Sequence, residues 1–387
     1  MDDKQPSHGI DRRTALGLLA TVAAGGVISS DAFAQAAEND EMLQAGKFPT
    51  EPGNYLAGEL VTVDAINRRG GLRLDGDFND DRYDKAQPHE FAMLPYGMTY
   101  YHGAPAEIRD IPLGSHLHGS FYLPPEGEEN TIPPTQGPPQ YGSKYNHAIL
   151  LEDDFSFFQR RGWVWRVVEF DRGKGRLNVV ANGGAEGLEF EKKHSFWIDN
   201  ATRVWKGREL LDWEAIAAEQ VVLVNLTWSP EWRNREFHVC DVWIDDESRA
   251  VATERQRRAH IRFQKHRWLA GWVDQVEHLG GSHGIVTITL FGGMDPSLYD
   301  EMKRKRAYGI GVATAEPTLR TYWQDHDHKY GSIVELRELD NPPLGSSGIQ
   351  IHWKTSELLD GFRPGRILRV RCHDWPNVKL PPEERLR

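Results

Sequence analysis

Apolar and polar residues alternate in short runs along most of this chain, and the runs recur in one order three times. Gly58-x-Leu60-x-x-Val63, Gly162-x-Val164-x-x-Val167 and Gly271-x-Val273-x-x-Val276 each open a segment. An apolar pair follows 14 or 15 residues after each glycine: Leu72 and Leu74, Leu177 and Val179, Val286 and Ile288. Each segment closes alike, with Ile111-x-x-Gly114-x-x-Leu117, Ile216-x-x-Glu219-x-x-Val222 and Phe362-x-x-Gly365-x-x-Leu368. A spacing of two marks half-buried strands, so the pattern predicts one small β unit in three copies. Val63, Val167 and Val276 are expected at equivalent inward positions. Between the second and third copies, Asp245-Asp246-Glu247 followed by Arg255 to Arg258 predicts a helix, its acids and bases complementing the helix dipole.

These elements divide the chain into a targeting segment (1–34), a flexible leader (35–54) and a first repeat (55–123). A Pro-rich linker (124–154), a second repeat (155–232), a linking helix (233–267), a third repeat (268–375) and a Pro-rich tail (376–387) follow. Composition supports a mainly β reading. Only 39% of residues are apolar, but 13 Trp, 12 Tyr and 15 Phe supply core volume, and 37 Gly with 22 Pro suit tight turns. The net charge of −11 argues against a nucleic-acid partner, because phosphate binding needs a basic surface.

Asp11-Arg12-Arg13-Thr14-Ala15-Leu16 resembles a twin-arginine export signal. A mild apolar stretch from Ala15 to Ile28 and a cleavage pattern at Ala32-Phe33-Ala34 come after it. The resemblance implies delivery by the twin-arginine translocase to the periplasm or cell exterior after cleavage near Ala34. No later apolar run is long enough for a membrane span, so none is expected in the mature chain. In an oxidising compartment Cys240 and Cys372 either pair, tying the second repeat to the third, or stay as buried thiols. With its repeat motifs, the whole chain resembles twin-arginine-exported bacterial proteins of planctomycete type that carry tandem OB-like barrel repeats. The fold expected is therefore mainly β, with three tandem small OB-like β-barrels and a helix between the second and third. The resemblance implies no activity and no catalytic residue.

Two clusters carry metal-ligand chemistry. His116-x-His118 in the first closing strand projects two imidazoles from one face while Leu117 enters the barrel. Asp325-His326-Asp327-His328 places His326 and His328 on one face of an extended segment. Either pair could supply part of a Zn or Cu site; otherwise the first is a solvated or hydrogen-bonded outer face and the second a polar turn before the strand near Ser332. Asp75-x-Asp77-x-Asn79-x-Asp81 alternates oxygen ligands as a Ca²⁺ loop does, or forms an acidic hairpin tip. Glu152-Asp153-Asp154 reads as surface charge. The aromatic residues around Phe155 to Trp165, and Tyr96, Tyr100 and Tyr101, read as packing or as stacking platforms. No nucleophile elbow, phosphate loop or dinucleotide fingerprint occurs. The expected function is a non-catalytic exported binding or scaffold protein with a protein or glycan partner. The alternative is a divalent-metal protein or metalloenzyme using the strand and loop histidines.

Overall fold

The computed structural model describes residues 43–75, 88–128, 132, 145–183, 193–228, 237–305, 307, 309–314 and 328–376. The export signal, Asp77, Asn79, Asp81, His326 and residues 377–387 lie outside the described residues. The described chain forms three closed β-barrels in tandem, with a helix between the second and third. No helix among the described residues is long and apolar enough to cross a membrane.

The first barrel contains β1 (Asn54–Asp64), β2 (Arg69–Leu74), β3 (His89–Tyr101), β5 (His116–Tyr122) and β6 (His147–Asp153). A short β4 (Ala104–Ala106) hangs on β3. Around the barrel the order is β1-β2-β3-β6-β5, closed by the antiparallel β1–β5 pair, with β3 and β6 parallel. The second barrel repeats that order. Its strands are β7 (Trp163–Asp171), β8 (Arg176–Gly183), β9 (Lys193–Trp197), β12 (Val221–Trp228) and β13 (Phe237–Trp243), with β9 and β13 parallel. A ribbon of β10 (Arg203–Lys206) and β11 (Glu209–Leu211) adds to the edge of β13. The strand order in both barrels is that of an OB-type Greek key. The third barrel closes with six antiparallel strands: β14 (Leu269–Gly280), β15 (His283–Phe291), β16 (Ile310–Thr314), β17 (His328–Glu338), β18 (Ser346–Thr355) and β19 (Ile367–Cys372). Its order, β14-β15-β18-β17-β16-β19, differs from the other two.

All three barrels share one device where the first strand meets the closing turn. Leu60 donates its N–H to Ser115 O and accepts from Gly114 N–H, at 2.9 and 2.8 Å. Val167 does the same with Gln220 and Glu219, and Val273 with Arg366 and Gly365, at 2.7 to 2.9 Å. Each of the three is followed by a β-bulge, and they pair with Leu72, Val179 and Ile288 in turn. Equivalence therefore runs Leu60, Val167, Val273, and the expected alignment of Val63 and Val276 with Val167 is three residues out. The reason is that Gly162 lies five residues ahead of Val167, whereas Gly58 and Gly271 lie two ahead of Leu60 and Val273. The bulge then coils the strand away from the core, so Val63 and Val276 are only half-buried while Leu60, Val167 and Val273 fill the core. Gly114, Glu219 and Gly365 all have positive φ, at 88°, 65° and 77°. The turn thus survives the glycine-to-glutamate change of the second copy.

Two repeat boundaries move. β6 lies within the expected linker 124–154, and β13 lies within the expected helical segment 233–267, because each barrel needs a fifth strand to close. The leader is also packed from residue 43 on rather than flexible. Leu43 is buried, and Phe48 sits against Tyr96, Trp272 and Phe291, filling the junction between barrels one and three.

Three α-helices occur among the described residues. α1 (Asp154–Arg160) links barrel one to barrel two, and Phe155, Phe157 and Phe158 plug the core of barrel two. α2 (Asp246–Arg267) is capped by Asp245, whose side chain accepts from Ser248 N–H. It is polar on nearly every face, as suits a helix bridging several bodies. Gln256 donates to Pro105 O of barrel one, and His260 and Gln264 reach Gly293 O of barrel three. Its first turns lie on β10 and β13 of barrel two. α3 (Pro296–Lys305) covers barrel three through Leu298, Tyr299 and Met302.

Candidate functional site

β5 turns Leu117 into the core of barrel one and His116 and His118 outward, as period two requires. That outer face is not solvated. α1 and β12 of the second barrel lie on it, and both imidazoles are only 3% exposed. The acidic run 152–154, read as surface charge, is likewise buried, because β6 ends and α1 begins inside the same seam.

Asp154 Oδ1 sits 2.8 Å from His116 Nδ1 and 3.0 Å from His118 Nε2. Its Oδ2 accepts from Leu226 N–H of β12 at 2.9 Å. On the far side of His116, Nε2 lies 3.0 Å from Asp75 Oδ2, just past the end of β2. His118 Nδ1 lies 2.6 Å from Tyr55 Oη, and its ring stacks on Phe157 at 3.8 Å. Asp153 caps α1 by accepting from Ser156 N–H, and it also takes Asn225 Nδ2 at 2.8 Å and His102 N–H at 3.1 Å. Asn225 Oδ1 in turn accepts from Phe155 N–H.

Carboxylates only accept, so His116 donates from both ring nitrogens and is an imidazolium. Burial pulls its pKa down, but Asp75 and Asp154 outweigh that and hold it at about 10. His118 donates from Nε2 and accepts the Tyr55 hydroxyl at Nδ1. Burial, helped by the neighbouring His116 charge, holds it neutral despite its bond to Asp154. Burial alone would raise Asp154, yet the two histidines bring it to about 2. Asp153 is pushed up to about 6 by burial, which its bonds to Ser156 and Asn225 only partly offset. Asp75 Oδ1 is buried without a hydrogen-bond partner among the described residues.

Of the residues singled out in the sequence, the structure brings together His116, His118 and Asp75. His328 lies apart from them, on β17 of barrel three, with its ring against Trp268 and Tyr330. Among the described residues, the ligand atoms that converge within 4.8 Å are those of His116, His118 and Asp154. Cys240 and Cys372 are free thiols on β13 and β19, each held in its own barrel rather than joined in a disulfide. Sequence reasoning missed Tyr55, Asp153, Asp154 and Asn225. Two signals were present: Asp153-x-x-Ser156 ahead of an aromatic run is a helix-cap pattern, and Asn225 interrupts an otherwise apolar strand.

A second feature is open to solvent. The β7–β8 turn and the end of β9 frame a groove of about 480 Å³ on barrel two, lined by Lys174, Trp197, Asp199, Asn200 and Trp213. A neighbouring groove of about 430 Å³ extends it past Arg203 and Asp212. Arg176 stacks on the Trp197 ring at 3.8 Å, which fixes that ring's tilt. No family model matches the chain, and neither does any curated protein or solved structure.

Proposed function

We propose that the chain is a non-catalytic binding scaffold, exported by the twin-arginine route, in which three barrels are held as one body. The observation that carries this reading is how the His–Asp seam spends its polar groups. Both imidazoles and three of the four carboxylate oxygens of Asp75 and Asp154 are bonded within the seam. A catalytic histidine needs a nitrogen within reach of substrate, and a sealed one serves structure instead. α2 and the aromatic junction around Trp272 and Tyr96 complete the locking.

The groove on barrel two is the face we assign to the partner, and a glycan is the class it fits. Half-buried Trp197 and Trp213 offer flat apolar rings beside Asp199 and Asn200, a pairing that suits the apolar faces and hydroxyl edges of sugars. In OB-type barrels the second and third strands and the first loop form the usual oligosaccharide or oligonucleotide face, and the net charge of −11 disfavours the latter. Titrating intrinsic Trp fluorescence with a panel of neutral oligosaccharides tests this. A saturable change lost in Trp197→Ala and Trp213→Ala is expected, and no response to any of the panel would sink the glycan assignment. Export has its own test: Arg12-Arg13→Lys-Lys should leave a larger precursor inside the cell, because Lys lacks the planar guanidinium fork.

A further inference from the structure

We propose that His116, His118 and Asp154 form a divalent-cation site, with the preferences of Zn²⁺, buried in the seam between barrels one and two. Two imidazole nitrogens and one carboxylate oxygen from β5 and α1 all lie within 4.8 Å of one another. Ligands of a tetrahedral zinc stand roughly 3.3 Å apart, given bonds of about 2.0–2.1 Å, so the 2.8 and 3.0 Å separations from Asp154 Oδ1 need shifts of tenths of an ångström, and the two nitrogens, within 4.8 Å of each other, complete the set.

The surroundings of the two rings supply an independent observation. A ligating histidine ordinarily hands its other N–H to an oxygen, which fixes ring orientation. His116 has Asp75 Oδ2 at 3.0 Å on its far nitrogen, and His118 has Tyr55 Oη at 2.6 Å on its own, where Nδ1 would change from accepting the hydroxyl to donating to it once Nε2 holds a cation. Both far nitrogens are thus already held, while both near nitrogens point at one carboxylate oxygen. The Asp75 carboxylate also leaves Oδ1 buried and unpartnered, so the seam carries acidic capacity that a cation beside His116 would offset. A cation here would replace shared protons between two barrels with metal–ligand bonds, and so deepens the scaffold reading on which the location rests.

The test is elemental analysis of full-length exported protein, and of protein refolded with Zn²⁺ or Co²⁺ and then dialysed. One ion per folded chain is expected, and Co²⁺ should give visible d–d bands of tetrahedral strength. His118→Gln should lose the ion and the bands. If that variant does not fold, Asp75→Asn, which leaves all three ligands in place, should weaken Zn²⁺ binding about 10- to 100-fold. Folded wild type that retains no ion after refolding with Zn²⁺ overturns the proposal, as does metal content unchanged in both variants. The scaffold reading is judged separately, by unfolding in chelator, and survives either result.

Discussion

His116 Nδ1 of the first barrel lies 2.8 Å from Asp154 Oδ1, the first residue of the helix that enters the second. Both side chains are almost wholly removed from solvent. A buried ion pair is weak grounds for net stability, but its removal one side at a time is costly. That asymmetry makes the contact a strong specifier of how the two barrels dock. A wrong docking would strand one charge in an apolar seam.

Backbone shape at the shared turn yields the first prediction. Glu219 holds φ of 65° where its counterparts are Gly114 and Gly365, and L-residues adopt that region at a cost of about 1–2 kcal/mol. Its ion pair with Arg166 is exposed and worth little. Glu219→Gly should therefore be at least as stable as wild type, and Glu219→Val less stable than Glu219→Gly by about 2 kcal/mol. Urea denaturation checks the order, and a destabilised glycine variant would mean the turn is held by the side chain.

The opening glycines of the first and third repeats are needed for close strand approach. A Cβ on Gly271 would lie 2.6 Å from Thr289 O, and one on Gly58 would collide with Arg73 O. Gly271→Ala and Gly58→Ala should each lose about 1–3 kcal/mol, the usual cost of overpacking. Wild-type melting temperatures in both would show that the strands can part without loss.

Much of the fold was legible from period and spacing. Alternating apolar residues located the opening strands, and the charge pattern located α2. The fifth strand of each OB-type barrel was hidden because β6 follows a Pro-rich loop and β13 precedes an acidic helix start, so composition masked them. In the second copy the opening glycine lies three residues farther ahead of the shared turn, so Val167 and not Val164 matches Leu60 and Val273, something a one-line pattern cannot register. At the site, His116 and His118 were visible as an outward pair. Their burial was not, because outward from one barrel says nothing of a second barrel docked there. Asp154 looked like surface charge for the same reason.

Thiol chemistry offers a direct check on the barrel arrangement. Burial, with the Asp241 and Asp374 charges adding to it, pushes Cys240 and Cys372 each up to about 12, so little thiolate exists at neutral pH. Native protein should react slowly with an aromatic disulfide reagent, and denatured unreduced protein should release both thiols. A disulfide in the exported protein, seen as missing thiol after denaturation, would contradict the separation of the two strands.

Acid should weaken barrel one. Burial first and the Arg69 charge second push the His147 imidazole down from 6.5 to about 4. The unfolded chain then binds this proton more readily than the folded one, so stability falls as pH drops from 6.5 to about 4. A single such group contributes a slope of up to about 1.4 kcal/mol per pH unit in that window. His147→Gln should flatten the curve of stability against pH between those limits, measured by urea midpoints. An unaltered slope would mean that His147 already carries its proton when folded.

The seam itself is tested most directly by a double-mutant cycle of His116→Leu and Asp154→Asn, with unfolding followed in chelator by calorimetry and denaturant. If the pair welds barrels one and two, wild type unfolds both in one transition and each single variant loses about 3–5 kcal/mol. The double variant should then lose clearly less than the sum, with coupling of about 1–3 kcal/mol. Additive losses, or two separate wild-type transitions for the first two barrels, would contradict the account.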